Sequence, residues 1–242
     1  MHTQRCRMCG SSKLAVFLDL GFTPPADQFK RKDQLKEEEV YYPLEVCICE
    51  ECCLVQLNYV VSPEVLYRND YPYESSTTKT GRKHWEAFAE RTVSRFNLIN
   101  SDLVVDIGSN VGVLLEFFKE RKLKVQGVDP AENIVLLAKK RGINTICDFF
   151  NQAVVETILK KYGKATIITS TNNFAHVDDL ESYMENVQML MADNGVFIFE
   201  APYLASLIRM VEYDTIYHEH LSYLSVKPLV SFFRKFKMEI FD

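Results

Sequence analysis

Hydrophobic positions along the chain fall into two regimes that meet near Asp102. Beyond it, the short apolar runs "LVVDI", "KVQGVD", "INTIC", "ATIITS" and "GVFIFE" alternate with longer stretches. These are "VLLEFFKE", "AENIVLLAKKRG", "QAVVETILKKYG" and "DLESYMENVQMLM", whose patterning is that of amphipathic helices. Five such β-α steps predict a parallel sheet with helices on both faces and ligands at the carboxyl ends of the strands.

Before Asp102 the pattern is irregular. "LGFTPPADQF" reads as a turn-rich connection because Gly21, Pro24 and Pro25 interrupt regular structure. "VYYPLEVCICEECCLVQL" gives short strand-like runs with Leu54, Val55 and Leu57 apolar. "LYRNDYPYESSTTKTGRKHWEAF" is tyrosine-rich, then rich in Ser and Thr, and turns helical near His84, running to about Arg95. The expected division is a small lobe over residues 1–65, a bridge with a helix over 66–98, and an α/β domain over 99–242.

With 242 residues, 47% hydrophobic and 25% charged, the chain is long enough for one sizeable core and a small accessory domain. A net charge of -5 argues against a general binder of phosphate backbones, so no nucleic acid is expected as partner. No apolar run approaches the roughly 20 residues that span a bilayer, and "MHTQRCRMCG" lacks the apolar core of a secretory signal. The expected location is the cytoplasm, away from any membrane.

Cysteine usage adds a metal. Six of the seven cysteines lie in the first 53 residues. Cys6 and Cys9, followed by Gly10, form one knuckle; Cys49 and Cys52 repeat its spacing. Two intervening residues let both thiolates of a knuckle face one ion, the arrangement of a structural zinc site, with buried thiols or a redox pair as the alternatives. Cys47 and Cys53 adjoin the second knuckle without repeating the spacing, and Cys147 reads as a small core residue.

The strand "LVVDI" carries Asp106 and runs into the turn Gly108-Ser109-Asn110-Val111-Gly112, which a helix follows. Glycines there let the backbone approach a nucleotide-like ligand beside the helix start. Asn110 stands where the dinucleotide fingerprint needs glycine, and the spacing suits S-adenosylmethionine (SAM) instead. Asp129, followed by Pro130, ends the second strand about 20 residues on, where an acid accepts from ribose hydroxyls. Asp148 and Phe149 after the third strand would form an adenine pocket. "TNNFAHV", with Asn172 and His176, and "EAPY", with Glu200 and Tyr203, follow the fourth and fifth strands and open onto the same crevice; His176 reads equally as a satisfied loop histidine.

"EYDTIYHEHLSYLS", residues 212–225, concentrates proton-handling groups. As a metal site, His218-Glu219-His220 is poor, since no third ligand is evident and methyl transfer from a sulfonium needs no Lewis acid. An acid/base role fits better, because carbon nucleophiles are made by removing a proton.

"CRMCG", "CEECCLVQL", "DYPYESS", "DIGSNVG", "GVDPAENI", "NNFAHVDDL", "EAPY" and "EYDTIYHEHLSYLS" occur together and in order from Cys6 to the chain's end. In this the chain resembles the zinc-containing, SAM-dependent sugar C-methyltransferases, which act on nucleotide-linked 4-keto-deoxysugars. The resemblance implies a Rossmann-like class I methyltransferase sheet with an N-terminal zinc-binding lobe, and methylation of the carbon beside the keto group. It makes His220 the base, with Tyr217, Glu219 or Tyr73 orienting the sugar or enolate; Tyr71 is the rival to Tyr73, and His218 holds the loop.

Three positions depart from that family. Val111 follows Asn110 where it commonly has Asp, Asp129 replaces a frequent Glu, and the chain stops at "FKMEIFD" before the family's third domain. A sheet edge exposed at Asp242 is then expected, with a partner chain or self-association covering it. The alternatives are an O-methyltransferase acting on a glycan or small metabolite, and a non-catalytic subunit of a two-chain methyltransferase.

Overall fold

The computed structural model describes residues 1–68, 71–75 and 77–242; Asn69, Asp70 and Ser76 of the tyrosine-rich stretch lie outside the described residues. In chain order come β1 (Leu14–Thr23), β2 (Tyr42–Cys49), β3 (Val55–Leu57), α1 (Pro63–Tyr67), α2 (Lys79–Phe96), β4 (Leu103–Ile107) and α3 (Val113–Glu120). They continue with β5 (Lys124–Asp129), α4 (Glu132–Lys140), β6 (Thr145–Cys147), α5 (Gln152–Tyr162), β7 (Ala165–Thr171), α6 (Leu180–Leu190) and β8 (Met191–Glu200). The last are α7 (Leu204–Met210), β9 (Ser222–Tyr223) and α8 (Val226–Lys235).

The chain divides into two compact units. The first gathers Met1–Leu66, Phe174–Met184 and Ala201–Asp242; the second holds Tyr67–Asn173 and Glu185–Glu200.

In the second unit, all five expected strands form one parallel sheet in the order β6-β5-β4-β7-β8. β4 is central and buried at every position, Asp106 among its apolar residues included. The order reverses between β4 and β7, and ligands of open α/β sheets bind outside the strand ends at such a point. Val104, Leu115, Phe118, Ile134, Ile143 and Ile167 pack the core with Val111. Val111 is fully buried there, so the residue that departs from the family's Asp packs the turn onto the core. α2 starts at Lys79, earlier than the expected start near His84, because the Thr78 side chain accepts from the Gly81 N–H and caps it.

In the first unit, β1, β2, β3 and β9 form an antiparallel sheet in that order. β1 corrects the sequence reading: Leu20–Thr23, read as turn, belong to a strand. Gly21, with φ +72°, sits at a bulge where the register shifts between Asp19 and Phe22, and its N–H donates to Asp19 Oδ1 at 2.8 Å. The glycine bends the strand without ending it. Leu44, Val46, Leu57, Leu207, Leu221 and Tyr223 form this unit's core.

Two further expectations fail. Cys147 is exposed at the end of β6 rather than in the core, because strand and residue both lie at the sheet's rim. Asp242 follows α8 and lies at no sheet edge; the outer strands of the parallel sheet are β6 and β8. No helix among the described residues is long and apolar enough to cross a membrane.

Phe118 is fully buried between α3 and the sheet. Phe118→Ala is expected to lower the unfolding free energy by about 3–5 kcal/mol, read as a reduced urea midpoint with unchanged slope.

Candidate functional site: a glycine turn, a histidine cluster and four thiols

At the carboxyl end of β4 the chain takes left-handed backbone at Gly108 (φ +72°), Asn110 (φ +49°) and Gly112 (φ +79°). A Cβ on Gly108 would stand 2.7 Å from Asn173 Nδ2, so only glycine lets this turn meet the loop after β7. Asn110 holds the turn in three directions. Its N–H donates to Asp129 Oδ2 (2.9 Å), its Nδ2 to the Tyr73 carbonyl (2.9 Å), and its Oδ1 accepts from the Ser75 N–H (2.8 Å). Asn133 Nδ2 donates to the Tyr71 carbonyl at 2.9 Å, so both asparagines strap the tyrosine-rich segment to this end of the sheet.

Asp129 accepts one backbone N–H on each oxygen, from Asn110 and Ala131, and burial raises its pKa. Each oxygen keeps a second lone pair, which suits a ribose hydroxyl. Asp106 is fully buried beneath the turn and accepts from the Thr169 hydroxyl at 2.7 Å; burial pushes it up to about 7. Asp148 pairs with Arg68 at 3.3 Å, and the same guanidinium covers the Phe149 ring at 5.2 Å. Pro130 is half-buried, and its carbonyl lies 3.8 Å from Cys147 Sγ. The Asn172 N–H donates to the Glu200 carbonyl at 2.7 Å, and the Glu200 carboxylate lies 2.8 Å from His84 Nε2. Ser109 Oγ and Thr145 Oγ1 are buried with no hydrogen-bond partner among the described residues, flanking Gly127, where any Cβ would clash with both. The glycine cradle, the acid and these polar atoms fit a SAM molecule. Asn173, Thr169, Asn133 and Arg68 escaped the sequence reading, since only the fold brings them to Gly108, Asp106, Tyr71 and Asp148.

The loops after β7 and β8 are each split between the two units: Asn172 and Glu200 belong to the second, His176 and Tyr203 to the first. Tyr203 is exposed before α7, and its backbone bridges to Leu224. Tyr73 is exposed in the second unit, while Tyr217, Glu219 and His220 belong to the first.

There the histidines meet. The rings of His176 and His220 lie edge to face, 5.0 Å between centroids, and His176 Nδ1 stands 3.8 Å from the Glu219 carboxylate. His220 Nδ1 lies 2.8 Å from the Thr215 carbonyl, and Nε2 lies 3.0 Å from the Tyr217 hydroxyl. A carbonyl only accepts, so Nδ1 carries the proton and Nε2 is left as the basic nitrogen, accepting from Tyr217. Burial lowers the pKa of His220 against the opposing pull of Thr215, and burial with the neighbouring His220 pushes His176 down to about 3. Both imidazoles are therefore neutral near pH 7. His218 is buried edge-on to Tyr42, with Nε2 3.3 Å from the Pro43 carbonyl.

The Sγ atoms of Cys6, Cys9, Cys49 and Cys52 all lie within 4.8 Å of one another. A tetrahedron with Zn–S bonds of about 2.3 Å has edges of about 3.8 Å, close to the observed Cys6–Cys52 (3.4 Å) and Cys9–Cys49 (3.5 Å) separations. Hydrogen bonding from Cys52 holds the Cys6 thiol below its ordinary range. The donor set fits Zn²⁺. Cys47 is a buried thiol that burial keeps protonated, and Cys53 receives the Lys227 ammonium at 3.2 Å.

A reversing parallel sheet with a glycine turn on its first strand, preceded by a four-cysteine lobe, defines the class of SAM-dependent methyltransferases. The chain belongs to the methyltransferase domain family, which matches residues 82–240, and a family described as a putative zinc binding domain matches residues 6–67. It is 35% identical over 237 residues to the C-methyltransferase NovU of Streptomyces niveus, a match that covers 98% of this chain and 56% of that protein. The chain thus spans about half the length of that curated relative. Among solved structures, it resembles the putative methyltransferase in complex with the Trm112 methyltransferase activator of Haloferax volcanii. That likeness has a TM-score of 0.52 and 17% identity, over 66% of this chain and 71% of that one. The plantazolicin methyltransferase BpumL with SAH and a pentazolic analogue gives a TM-score of 0.50 and 17% identity, over 66% and 63%. At such identities the likeness concerns the fold alone.

Gly108→Ala is expected to weaken SAM binding by at least about tenfold in calorimetry, since the strained, crowded turn must shift. Asp106 gives a second expectation. Its folded pKa of about 7 exceeds the ordinary 3.8, so the native state holds an extra proton between those values and stability falls as pH rises through them. Asp106→Asn should therefore resist urea better than wild type above pH 7, with the difference gone by pH 3.8.

Proposed function

We propose that the protein is a C-methyltransferase acting on a nucleotide-linked 4-keto-deoxysugar, with His220 as the base that removes the proton next to the ketone. The observation that carries this reading is the fixed tautomer of a half-buried, neutral His220, whose Nδ1–H is tied to a carbonyl and whose Nε2 keeps its lone pair. The resemblance of the histidine motif to sugar C-methyltransferases and the identity to a C-methyltransferase support it.

The keto group acidifies the neighbouring C–H, and Nε2 of His220 takes that proton to leave an enolate. The Tyr217 hydroxyl donates to Nε2 in the resting protein, so the acceptor's C–H takes its place there. Tyr217 is then able to donate to the enolate oxygen. Glu219, buried beside His176, orients the sugar or steadies the imidazolium formed on His220. His176, Glu200 and Tyr203 are assigned to the substrate, and Tyr73 to its positioning. Asp129, the Gly108–Gly112 turn, Asp148, Phe149 and Asn172 would hold SAM, which when bound would supply the methyl group for the enolate carbon. Cys6, Cys9, Cys49 and Cys52 hold a structural Zn²⁺ that closes the lobe.

Incubation with SAM and a panel of nucleotide-linked 4-keto-6-deoxysugars is expected to yield a nucleotide sugar one methyl heavier by mass spectrometry. His220→Asn should abolish that product while SAM binding persists. Transfer only to acceptors lacking a ketone would overturn the assignment. Because burial lowers the His220 pKa below its ordinary 6.5 and only the neutral ring is a base, the acid limb of kcat/KM should lie below pH 6.5.

A further inference from the structure

Arg7 lies inside the first cysteine knuckle, between Cys6 and Met8, yet its side chain is turned inward and only 2% exposed. Its guanidinium uses four donors. Nε donates to Asp178 Oδ1 (2.9 Å), Nη1 to the carbonyls of Leu57 (2.9 Å) and Leu221 (3.3 Å), and Nη2 to Thr3 Oγ1 (3.2 Å). Its backbone is fixed as well: the Arg7 N–H donates to the buried Gln56 Oε1 (3.0 Å), and Gln56 Nε2 donates to the Arg5 carbonyl (3.3 Å).

Two of these partners flank the histidine pair. Leu221 follows His220 directly, and Asp178 lies two residues after His176. The Leu221 carbonyl also accepts from the Leu57 N–H at 3.0 Å, so Arg7 completes a junction among the knuckle, β3 and the two histidine-bearing segments. We propose that Arg7 is a positioning residue that ties the metal-binding knuckle to the His176–His220 pair, so that thiol coordination sets the geometry of the base. This rests on the reading of His220 as base. Arg7 touches no reacting atom on this account; it acts through Asp178 and Leu221. The rigid fork spreads its donors over Nε, Nη1 and Nη2 to reach all four partners, a geometry that lysine's single ammonium does not reproduce although it keeps the charge.

The test uses the full chain with Arg7→Gln and Arg7→Lys, following zinc content, SAM affinity, the ring resonances of His176 and His220, and kcat and KM of sugar methylation. Both variants should keep zinc and SAM affinity, shift both histidine resonances and weaken the NOE between the rings. They should lower kcat by at least about tenfold, Arg7→Lys less than Arg7→Gln, with little change in the KM for SAM. Chelation of zinc from the wild type should move the same two resonances. Zinc-loaded variants with wild-type histidine spectra, or a chelated wild type whose spectra stay put, would overturn the proposal. If Arg7→Gln does not fold, Asp178→Asn decides from the exposed end of the brace: a moved His176 resonance supports it and an unmoved one overturns it. If the wild type methylates no keto sugar, the substrate reading fails separately, and the resonances still decide the role of Arg7.

Discussion

The approach of the Gly108 turn to the loop after β7 is the constraint on which the carboxyl end of the parallel sheet depends. A side chain at Gly108 would collide with Asn173. Once the turn is admitted, Asn110 adopts left-handed backbone and its amide becomes available to Tyr73 and Ser75, while its N–H reaches Asp129. The acid that suits a ribose, the strap of tyrosines and the start of α3 are thus fixed by one local backbone geometry. Val111 completes it from below by filling the core.

The histidine cluster follows a different logic, that of desolvation. Burial disfavours imidazolium, and two rings side by side disfavour it further, so His176 and His220 are held neutral. The Thr215 carbonyl claims Nδ1 of His220, so the lone pair of the neutral ring is on Nε2. The Tyr217 hydroxyl donates to that nitrogen.

Much of this was legible in the chain. The five parallel strands announced themselves as short, mainly apolar runs alternating with helices of clear period. The four thiols were legible as well, since a repeated spacing separated Cys49 and Cys52 from Cys47 and Cys53. What stayed hidden was tertiary. Gly21 carries the signature of a turn but sits at a bulge within β1, where an Asp19 side chain satisfies it. Cys147, which reads as a small core residue, is exposed because β6 is a short outer strand. Asn173 meets Gly108, Arg68 pairs with Asp148 and Arg7 turns inward only through the fold; none has a pattern of its own, and nothing in "CRMCG" foretells the burial of Arg7.

The central claim is that His220 removes a proton from carbon. It is tested most directly by incubating the protein in D₂O with a nucleotide-linked 4-keto-6-deoxysugar in the absence of SAM, and following the C–H signals beside the ketone by NMR. The account predicts loss of one such signal as deuterium enters, with no loss in His220→Asn. Exchange that proceeds equally well without His220, or methyl transfer by a protein that exchanges no proton, would contradict it.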